Sequence, residues 1–227
     1  PSSTAVLGYY DLRIMVNDTD GGSTGWNSYS DVILVEMNPG WSNTTGDEKI
    51  LTIATSADGE YIVAGSHNPT TSGVGEIYLF SKDSSTPLWS FDEVYNRVDS
   101  VAISADGEYI VASGPNNKIY LFDKDSSTPL WSYETGGDVD AVAISSDGEY
   151  IVGGSDDEKV YLFDKDSSTP LWSYTTGGYV YSVAISASGE YITAGSDDDK
   201  VYLFNKDSSP PLSLIHISAP TRRYAIA

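Results

Sequence analysis

Short apolar segments recur along the chain, separated by turns that are rich in glycine, aspartate, asparagine and serine. In one stretch the pattern predicts four strands: Val98–Ser104, Tyr109–Ser113, Lys118–Phe122 and Pro129–Tyr133. Glycine and Asx residues suit the tight turns between them, because glycine adopts positive φ and Asx side chains bond to their own backbone. No part of this stretch has a helical period, so the pattern predicts an all-β protein.

The four-stranded stretch is one copy of a repeated unit. The segment S-[AS]-[DS]-G-E-Y-I begins at Ser56, Ser104, Ser145 and Ser186. A second segment, KDSSTPLW, begins at Lys82, Lys124 and Lys165, and an altered copy, KDSSPPLS, begins at Lys206. The last three units are offset by 41 residues, whereas the first carries an insertion in the loop His67–Glu76. A fixed period of this length is typical of stacked repeat architectures.

The strands are apolar on both sides rather than alternating. Ile119 and Leu121 lie on one side of their strand, and Tyr120 and Phe122 lie on the other. A sheet with this pattern must be covered on both faces. Four-stranded antiparallel sheets stacked about an axis meet that need, which predicts a β-propeller of about four blades in an incomplete ring. A linear stack of sheets is the alternative.

Two families resemble the unit. Its first half, V-x-S-V-A-I-S-x-D-G-E-Y-I, resembles the tryptophan–aspartate (WD) repeat. Its second half, such as KVYLFDKDSSTPLW at Lys159–Trp172, is similar to the repeat of pyrroloquinoline-quinone (PQQ) propellers. The PQQ-like resemblance implies that a tryptophan of each blade docks against the next blade. The residues that it assigns to this docking are Trp89, Trp131, Trp172, Asp123 and Asp164.

The repeats divide the chain into three parts. Residues 1–38 resemble the last strands of a polycystic-kidney-disease (PKD) or immunoglobulin-like sandwich domain whose beginning is missing. Residues 39–212 are predicted to form the propeller, with blades at about 47–92, 97–137, 138–178 and 179–212. Residues 39–46 echo the outer strand of a blade, so a four-bladed ring closed by Trp41 is an alternative to the incomplete ring.

The end of the chain departs from the repeats. Ser213 stands where the other units have tryptophan, so we expect the last blade to lack its outer strand. The segment LSLIHIS matches the translation of a transposon adapter used in sequencing libraries, and the residues after it match no repeat. Residues 213–227 are therefore predicted to be adapter-derived, with the chain cut at both ends.

Charge and composition restrict the partners. The net charge of −21 disfavours nucleic acid and anionic membrane surfaces, because phosphates would be repelled. No apolar run is long enough to span a bilayer, which predicts no membrane insertion. Cysteine is absent, so no disulfide or thiolate metal site is available. The acidic excess fits an extracellular or a halophilic setting, and we expect an extracellular or cell-surface location.

Catalytic chemistry has little support in the sequence. Only His67 and His216 could serve as histidine bases, and His67 lies in a polar loop. We therefore predict that the chain is not an enzyme. The PQQ-like resemblance leaves open a fragment of a quinoprotein oxidoreductase. Acidic clusters at Asp156–Glu158 and Asp197–Asp199 could attract Ca²⁺, but they lack the spaced glycine and distal glutamate of a calcium loop, so no metal site or cofactor is predicted.

Differences between the units concentrate at two places, the start of the first strand and the loop between the second and third strands. In a propeller both places lie on one face, as a ligand-binding surface requires; drift of exposed loops is the alternative. The candidate binding residues are Arg97, Asp99, Asp138, Asp140, Asp156, Asp157, Tyr179, Tyr181, Asp197 and Asp198.

The sequence thus predicts a non-catalytic propeller scaffold that binds a protein or polymer ligand on one face. The alternatives are the quinoprotein fragment and a purely structural spacer. Unpaired blade edges also predict self-association between copies of the chain.

Overall fold

The computed structural model describes residues 5–7, 10–16, 33–37, 42, 48–69, 74–95 and 97–216. The chain forms two compact units, Pro1–Thr44 and Thr45–Ala227. The first unit contains a three-stranded antiparallel sheet with the order β1-β2-β3, formed by Ala5–Leu7, Tyr10–Val16 and Ile33–Met37. Leu12 of β2 pairs with Met37 of β3, so the two long apolar segments near the N-terminus form a hairpin-like pair.

The second unit contains four antiparallel sheets of four strands each, one sheet per repeat. Blade 1 consists of β4 Lys49–Thr55, β5 Tyr61–His67, β6 Val74–Ser81 and β7 Trp89–Tyr95. Blade 2 consists of β8 Ser100–Ile103, β9 Tyr109–Gly114, β10 Lys118–Asp123 and β11 Trp131–Glu134. Blade 3 consists of β12 Val139–Ile144, β13 Tyr150–Ser155, β14 Lys159–Asp164 and β15 Trp172–Thr175. Blade 4 consists of β16 Val180–Ile185, β17 Tyr191–Ser196, β18 Lys200–Asn205 and β19 Ser208–His216. No helix occurs among the described residues, which confirms the all-β prediction.

Blades 2 and 3 bury both faces of their sheets against the neighbouring blades, as the apolar pattern predicts. Tyr120 and Phe122 of blade 2 join one core cluster with residues of blade 1. Ile119 and Leu121 point the other way and join a second cluster with residues of blade 3. All four side chains are buried, so the sheet on each side of blade 2 contributes to its stability.

A hydrogen-bonded turn joins the first two strands of each blade. In blade 2 the Ser104 hydroxyl donates to Asp106 Oδ1 at 2.6 Å and accepts from the Tyr109 amide at 3.0 Å. Asp106 also accepts from the Glu108 amide at 3.1 Å. Gly107 has a φ of 76°, a left-handed conformation that favours glycine, so the S-x-D-G-E-Y segment encodes this turn.

The same turns link neighbouring blades. The amides of Ala57, Ala105 and Ser146 donate to carbonyls in the first turn of the following blade at 2.9, 2.9 and 3.0 Å. The turn glycine of each following blade also packs on a tyrosine ring: a Cβ atom at Gly148 would lie 2.5 Å from Tyr109 Cδ2. Only glycine fits this contact, which explains why the turn is repeated so closely.

The tryptophans form the second link between blades. Trp131 packs on Phe163 with ring centroids 5.2 Å apart, and its Nε1 donates to the Lys165 carbonyl at 2.7 Å. Asp164 accepts from the Asp166 amide at 2.9 Å, which shapes the loop that receives Trp131. Trp89 and Trp172 donate to the carbonyls of Lys124 and Lys206 in the same way, and Asp123 shapes the loop around Lys124. We call the side of the stack formed by these first and third turns the locked face.

Blade 4 differs from the sequence prediction. We expected it to lack an outer strand, but β19 pairs with β18 over Ser213–His216. Ser213 lies opposite Leu203, the register position that Trp172 has opposite Leu162. The prediction was wrong because backbone hydrogen bonds form the strand, whereas the tryptophan docks it against a neighbour.

The four sheets form an open stack rather than a closed ring. Blades 1 and 2, 2 and 3, and 3 and 4 pack against each other, but the described residues of blades 1 and 4 do not form such an interface. An incomplete ring was the favoured prediction. The alternative, closure by Trp41, lies outside the described residues.

Removing the tryptophan hydrogen bond should weaken one blade interface. We expect Trp131→Phe to lower the free energy of unfolding by about 1–2 kcal/mol, because the Lys165 carbonyl loses its donor while ring packing is largely kept. Trp131→Ala should cost about 3 kcal/mol, since the packing is lost as well. Urea unfolding followed by circular dichroism measures both. Leu130→Ala, at an exposed neighbour, is the control and should change stability by less than about 0.5 kcal/mol. Equal stability of Trp131→Phe and the wild type would contradict this role of the indole N–H.

Blade 4 has a weaker first turn that can be repaired. Ser188 replaces the aspartate of the other units, and its hydroxyl lies 3.4 Å from Ser186 Oγ. Ser188→Asp should stabilise the fold by about 0.5–1 kcal/mol by adding the missing acceptor. In blade 3 the Ser145 hydroxyl lowers the pKa of Asp147, so the gain should be present at neutral pH and disappear as pH falls through the lowered pKa. Asp147→Ser, the reverse change, should lose a similar amount in the same urea titration.

Candidate ligand-binding face

The first strands of blades 1, 3 and 4 each present one side chain from a break in the strand pairing. The register shifts between Val139 and Ala141, which leaves Asp140 without a cross-strand partner. Tyr181 in blade 4 and Leu51 in blade 1 occupy the same extra position. Such β-bulges re-aim a side chain and are frequent near binding sites. The corresponding residue of blade 2 is Asp99. It precedes Val101 by two residues, as Asp140 precedes the equivalent Val142. We call Leu51, Asp99, Asp140 and Tyr181 the bulge row.

A buried valine holds the bulge residue in place in blades 2 to 4. Val98, Val139 and Val180 directly precede the bulge residues and are fully buried. Val98 packs on Gly65 of the preceding blade so closely that a Cβ atom there would lie 2.5 Å from Val98 Cγ1. Val180 packs on Gly154 in the same way, with 2.7 Å to Cγ1. The start of each of these strands is therefore fixed by packing, although the next side chain differs from blade to blade.

The loop between the second and third strands lies beside the bulge row. The Asp156 amide donates to the Asp138 carbonyl at 2.9 Å, and the Asp197 amide donates to the Tyr179 carbonyl at 2.8 Å. The two regions that vary between repeats therefore meet on one side of the stack. We call this side the variable face; its members are the bulge row, Arg97, Asp138, Asp156, Tyr179 and Asp197.

Carboxylates of different blades crowd together on the variable face. Burial, followed by the negative charges of Asp156, Asp99 and Asp138, raises the pKa of Asp140 to about 6. Burial also raises the pKa of Asp99, although Arg97 Nε lies 2.5 Å from Asp99 Oδ1 and opposes the shift. The face therefore has a negative potential that its own single arginine does not neutralise.

Two carboxylate oxygens of this face lack a hydrogen-bond donor. Asp99 Oδ2 and Asp156 Oδ1 are inaccessible to solvent and accept no hydrogen bond from the protein. A buried carboxylate oxygen is normally satisfied by a donor, so these two atoms have an unmet capacity to accept a hydrogen bond. A cation nearby would lower this electrostatic free energy.

Two tyrosines border the carboxylates. The rings of Tyr179 and Tyr181 meet edge to face with centroids 6.3 Å apart, and both are exposed. Partial desolvation and the charges of Asp197, Asp156 and Asp140 raise the pKa of Tyr181. Aromatic faces beside carboxylates suit the ammonium group of lysine and the guanidinium group of arginine.

Asp157 and Asp198 have a different role from their neighbours. Asp198 Oδ2 accepts from Gly177 N at 3.0 Å, Tyr202 OH at 2.5 Å and Lys200 Nζ at 2.6 Å. Burial opposes ionisation of Asp198, but the bonds from Lys200 and Tyr202 outweigh it and lower its pKa. Asp157 accepts from Gly136 N at 2.8 Å and from the hydroxyl of its own blade's tyrosine. Both carboxylates thus brace a loop against the outer strand of the preceding blade.

Sequence reasoning missed one member of the bulge row. In the sequence, Leu51 looks like an ordinary apolar strand residue. It nevertheless precedes the S-x-D-G turn of its blade by the same number of residues as Asp140 does in blade 3. Alignment of the four repeats on that turn was the signal that could have identified it. Its exposed leucine side chain makes blade 1 the apolar end of the row.

Neither a metal centre nor a membrane span is evident in the described residues. No three histidine, cysteine, aspartate or glutamate side chains among them are arranged to hold a metal ion. No helix within the same residues has the length and apolar character needed to cross a membrane. That the chain has no metal site or cofactor stays a prediction.

Comparison with known proteins identifies the repeat. A family model described as outer membrane protein assembly factor BamB matches residues 73–226, which is more than half of the chain. The chain belongs to this BamB family. The match begins at the third strand of blade 1 and extends over most of the segment 213–227 that the sequence separates from the repeats. No curated protein matches the chain.

A solved structure supports the fold of this BamB-family chain. One chain in a crystal structure of a mitotic checkpoint complex superposes with a TM-score of 0.65 at 18% sequence identity. The alignment covers 91% of the present chain and 62% of the other chain, so this chain spans less than two thirds of its neighbour's length. At this identity the likeness shows the β-propeller fold alone.

Neutralising Asp140 should stabilise the protein. Because the folded protein raises the pKa of Asp140 to about 6 from its ordinary 3.8, the ionised side chain lowers stability as pH rises through this interval. We expect Asp140→Asn to raise the free energy of unfolding by about 1 kcal/mol at pH 7.5, allowing for screening by solvent, and to have no effect at pH 4.

Urea unfolding at the two pH values measures this difference. Asp198→Asn is the matched control with the opposite sign, because its carboxylate has a lowered pKa and stabilises the folded state at neutral pH. A loss of stability in both variants at pH 7.5 would show that the carboxylates of the variable face do not repel one another.

Proposed function

We propose that the chain is a non-catalytic scaffold that binds a positively charged segment of a protein partner through the variable face. One observation carries the proposal. The repeats differ most where the bulge row and the neighbouring loops meet, and on this face burial together with the neighbouring carboxylates raises the pKa of Asp140 to about 6. Stacking of the blades does not require this crowding, because Tyr181 holds the same bulge position in blade 4 without a carboxylate.

The chemistry of the face favours lysine and arginine side chains. A cation beside Asp99, Asp140 and Asp156 would reduce the mutual repulsion of these carboxylates. Tyr179 and Tyr181 offer ring surface beside these charges, and aromatic residues are enriched in protein interfaces. Charge complementarity of this kind favours fast association and selects against acidic partners.

Family and charge support a location outside the cytoplasm. The matching family is described as an outer membrane protein assembly factor, which favours an assembly role in the cell envelope. We extend this to the chain as a proposal, at the cell surface or in secreted form. That residues 1–38 end a PKD- or immunoglobulin-like sandwich is part of the same proposal, since such domains would present the propeller away from the cell.

The other two functions receive less support. A quinoprotein oxidoreductase would need a calcium-bound quinone, and the described residues contain no set of acidic ligands arranged for a metal. A pure spacer accounts for the blade contacts, but it does not account for the crowded carboxylates on one face.

Binding of a labelled oligolysine peptide tests the proposal. Asp99→Asn combined with Asp140→Asn removes two charges from the bulge row. Asp125→Asn combined with Asp166→Asn removes two charges from exposed loops of the locked face and is the matched control. At about 0.15 M salt, where exposed charges are screened beyond roughly 8 Å, we expect the first pair to weaken binding at least tenfold and the second less than twofold. Fluorescence anisotropy measures both.

Two further results follow if the variable face is the site. Binding by the wild type should weaken as pH falls below about 6, because Asp140 becomes protonated. Tyr181→Ala should weaken binding several-fold without changing the net charge. Equal losses in the two double variants would show that only overall charge attracts the peptide, and the spacer function would then be preferred.

A further inference from the structure

We propose that the variable face selects arginine, and that the guanidinium group of a partner's arginine binds Asp140 of blade 3 as Arg97 binds Asp99 of blade 2. This inference rests on the proposed function and specifies the side chain that the site accepts. Blades 2 and 3 each pack between two neighbouring blades, so both aspartates belong to blades whose sheets are covered on both faces.

The two aspartates have the same backbone setting. The Asp99 amide donates to the Ser113 carbonyl at 2.9 Å, and Ser100 is the cross-strand partner of the same Ser113. Two residues of blade 2 therefore lie opposite one, as they do at the bulge that contains Asp140. The residue before each aspartate is a fully buried valine. The two carboxylates thus leave their strands at equivalent positions, and the surroundings of one can be compared directly with those of the other.

Blade 2 supplies a cation to its own bulge aspartate. Arg97 Nε donates to Asp99 Oδ1 at 2.5 Å. The Arg97 side chain is 42% exposed and that of Asp99 is 14% exposed, so the arginine lies on the solvent side of the carboxylate. Arg97 precedes Asp99 by two residues, and the residue at the same distance before Asp140 is Asp138. Blade 3 therefore has a second carboxylate where blade 2 has a guanidinium group.

Asp140 is left without the counterion that Asp99 has. Burial raises its pKa, and the nearby charges that raise it further are those of Asp156, Asp99 and Asp138. Among the described residues, no lysine, arginine or histidine forms an ion pair with Asp140. Its side chain is only partly buried, so a group of another molecule can reach it from the variable face. An arginine from a partner would complete in blade 3 the pair that blade 2 makes within itself.

The surroundings of Asp140 favour arginine over lysine. Partial desolvation, and then the charges of Asp197, Asp156 and Asp140, raise the pKa of Tyr181, so this tyrosine lies near the carboxylates. A planar guanidinium group can stack on an aromatic ring while its N–H groups bond to carboxylates, and it is weakly hydrated. The ammonium group of lysine is a strongly hydrated point charge, which loses more on entering a partly buried site.

Labelled oligoarginine and oligolysine peptides of equal length test the selectivity by fluorescence anisotropy. We expect the wild type to bind oligoarginine about fivefold more tightly, since both peptides have the same charge but only one offers planar groups. Asp140→Asn should reduce this ratio to less than about twofold, because the carboxylate that receives the guanidinium group is lost. Asp125→Asn combined with Asp166→Asn, on the locked face, should leave the ratio unchanged.

Transfer of the arginine from blade 2 to blade 3 tests the geometry. Asp138→Arg places a guanidinium group two residues before Asp140. It should raise the unfolding temperature by about 2 °C over Asp138→Gln, which removes the charge only, and adding Asp140→Asn should cancel this gain. Because its own arginine then occupies Asp140, Asp138→Arg should bind oligoarginine about tenfold more weakly than the wild type. Asp125→Arg makes the same change of charge on the locked face and should weaken binding less than about twofold.

Three results would each overturn the proposal: equal affinity of the wild type for the two peptides, an arginine preference that survives Asp140→Asn, or Asp138→Arg and Asp125→Arg weakening binding equally. Failure of this inference is distinct from failure of the proposed function. If both peptides bind equally and Asp99→Asn combined with Asp140→Asn weakens both, the variable face binds cations without selecting arginine. If neither peptide binds, the proposed function fails and the selectivity fails with it.

Discussion

The whole second unit depends on the burial of sheet faces between neighbouring blades. A strand such as β10 carries Ile119 and Leu121 on one side and Tyr120 and Phe122 on the other, and all four are withdrawn from water only when a blade lies on each side. No blade is therefore a stable body by itself, in keeping with the behaviour of repeat proteins, whose stability comes largely from contacts between neighbours. The same constraint leaves an apolar surface at each end of any open stack.

Stacking also explains why the two sides of the molecule differ. On the locked face, the contact of Gly148 with Tyr109 and the bond from Trp131 to Lys165 require the same residues in every blade. On the side of the variable face, Asp157 and Asp198 hold their loops to the preceding blade through Gly136 and Gly177, but these contacts do not involve the bulge row. Its side chains are held by a buried valine at the start of the strand, and the next residue is free to change. Substitution is thus restricted on one face and permitted on the other.

Much of this could be predicted from sequence, because a repeat shows which positions share a role. The period, the two-sided apolar strands and the turn motif lead to four-stranded stacked sheets. Adjacent residues of one acidic cluster were harder to separate. Asp156 and Asp157 are adjacent residues of the same type. Asp157 accepts a hydrogen bond from Gly136, whereas Asp156 lies near Asp140. Only the geometry of the loop decides which of the two has which role. The outer strand β19 was missed because the tryptophan, a docking residue, was used as the marker of the strand.

Packing of the blades does not explain why carboxylates cluster around Asp140. A carboxylate whose pKa is raised by burial and by neighbouring aspartates makes the folded state less stable at neutral pH. A carboxylate is not needed at this position of a blade, since Leu51 and Tyr181 occupy the equivalent bulges of blades 1 and 4. Local features that lower stability are found more often at functional sites, where the surrounding structure holds them in place. Val139, fully buried beside Asp140, provides that support, and a bound cation would remove the repulsion that the protein by itself retains.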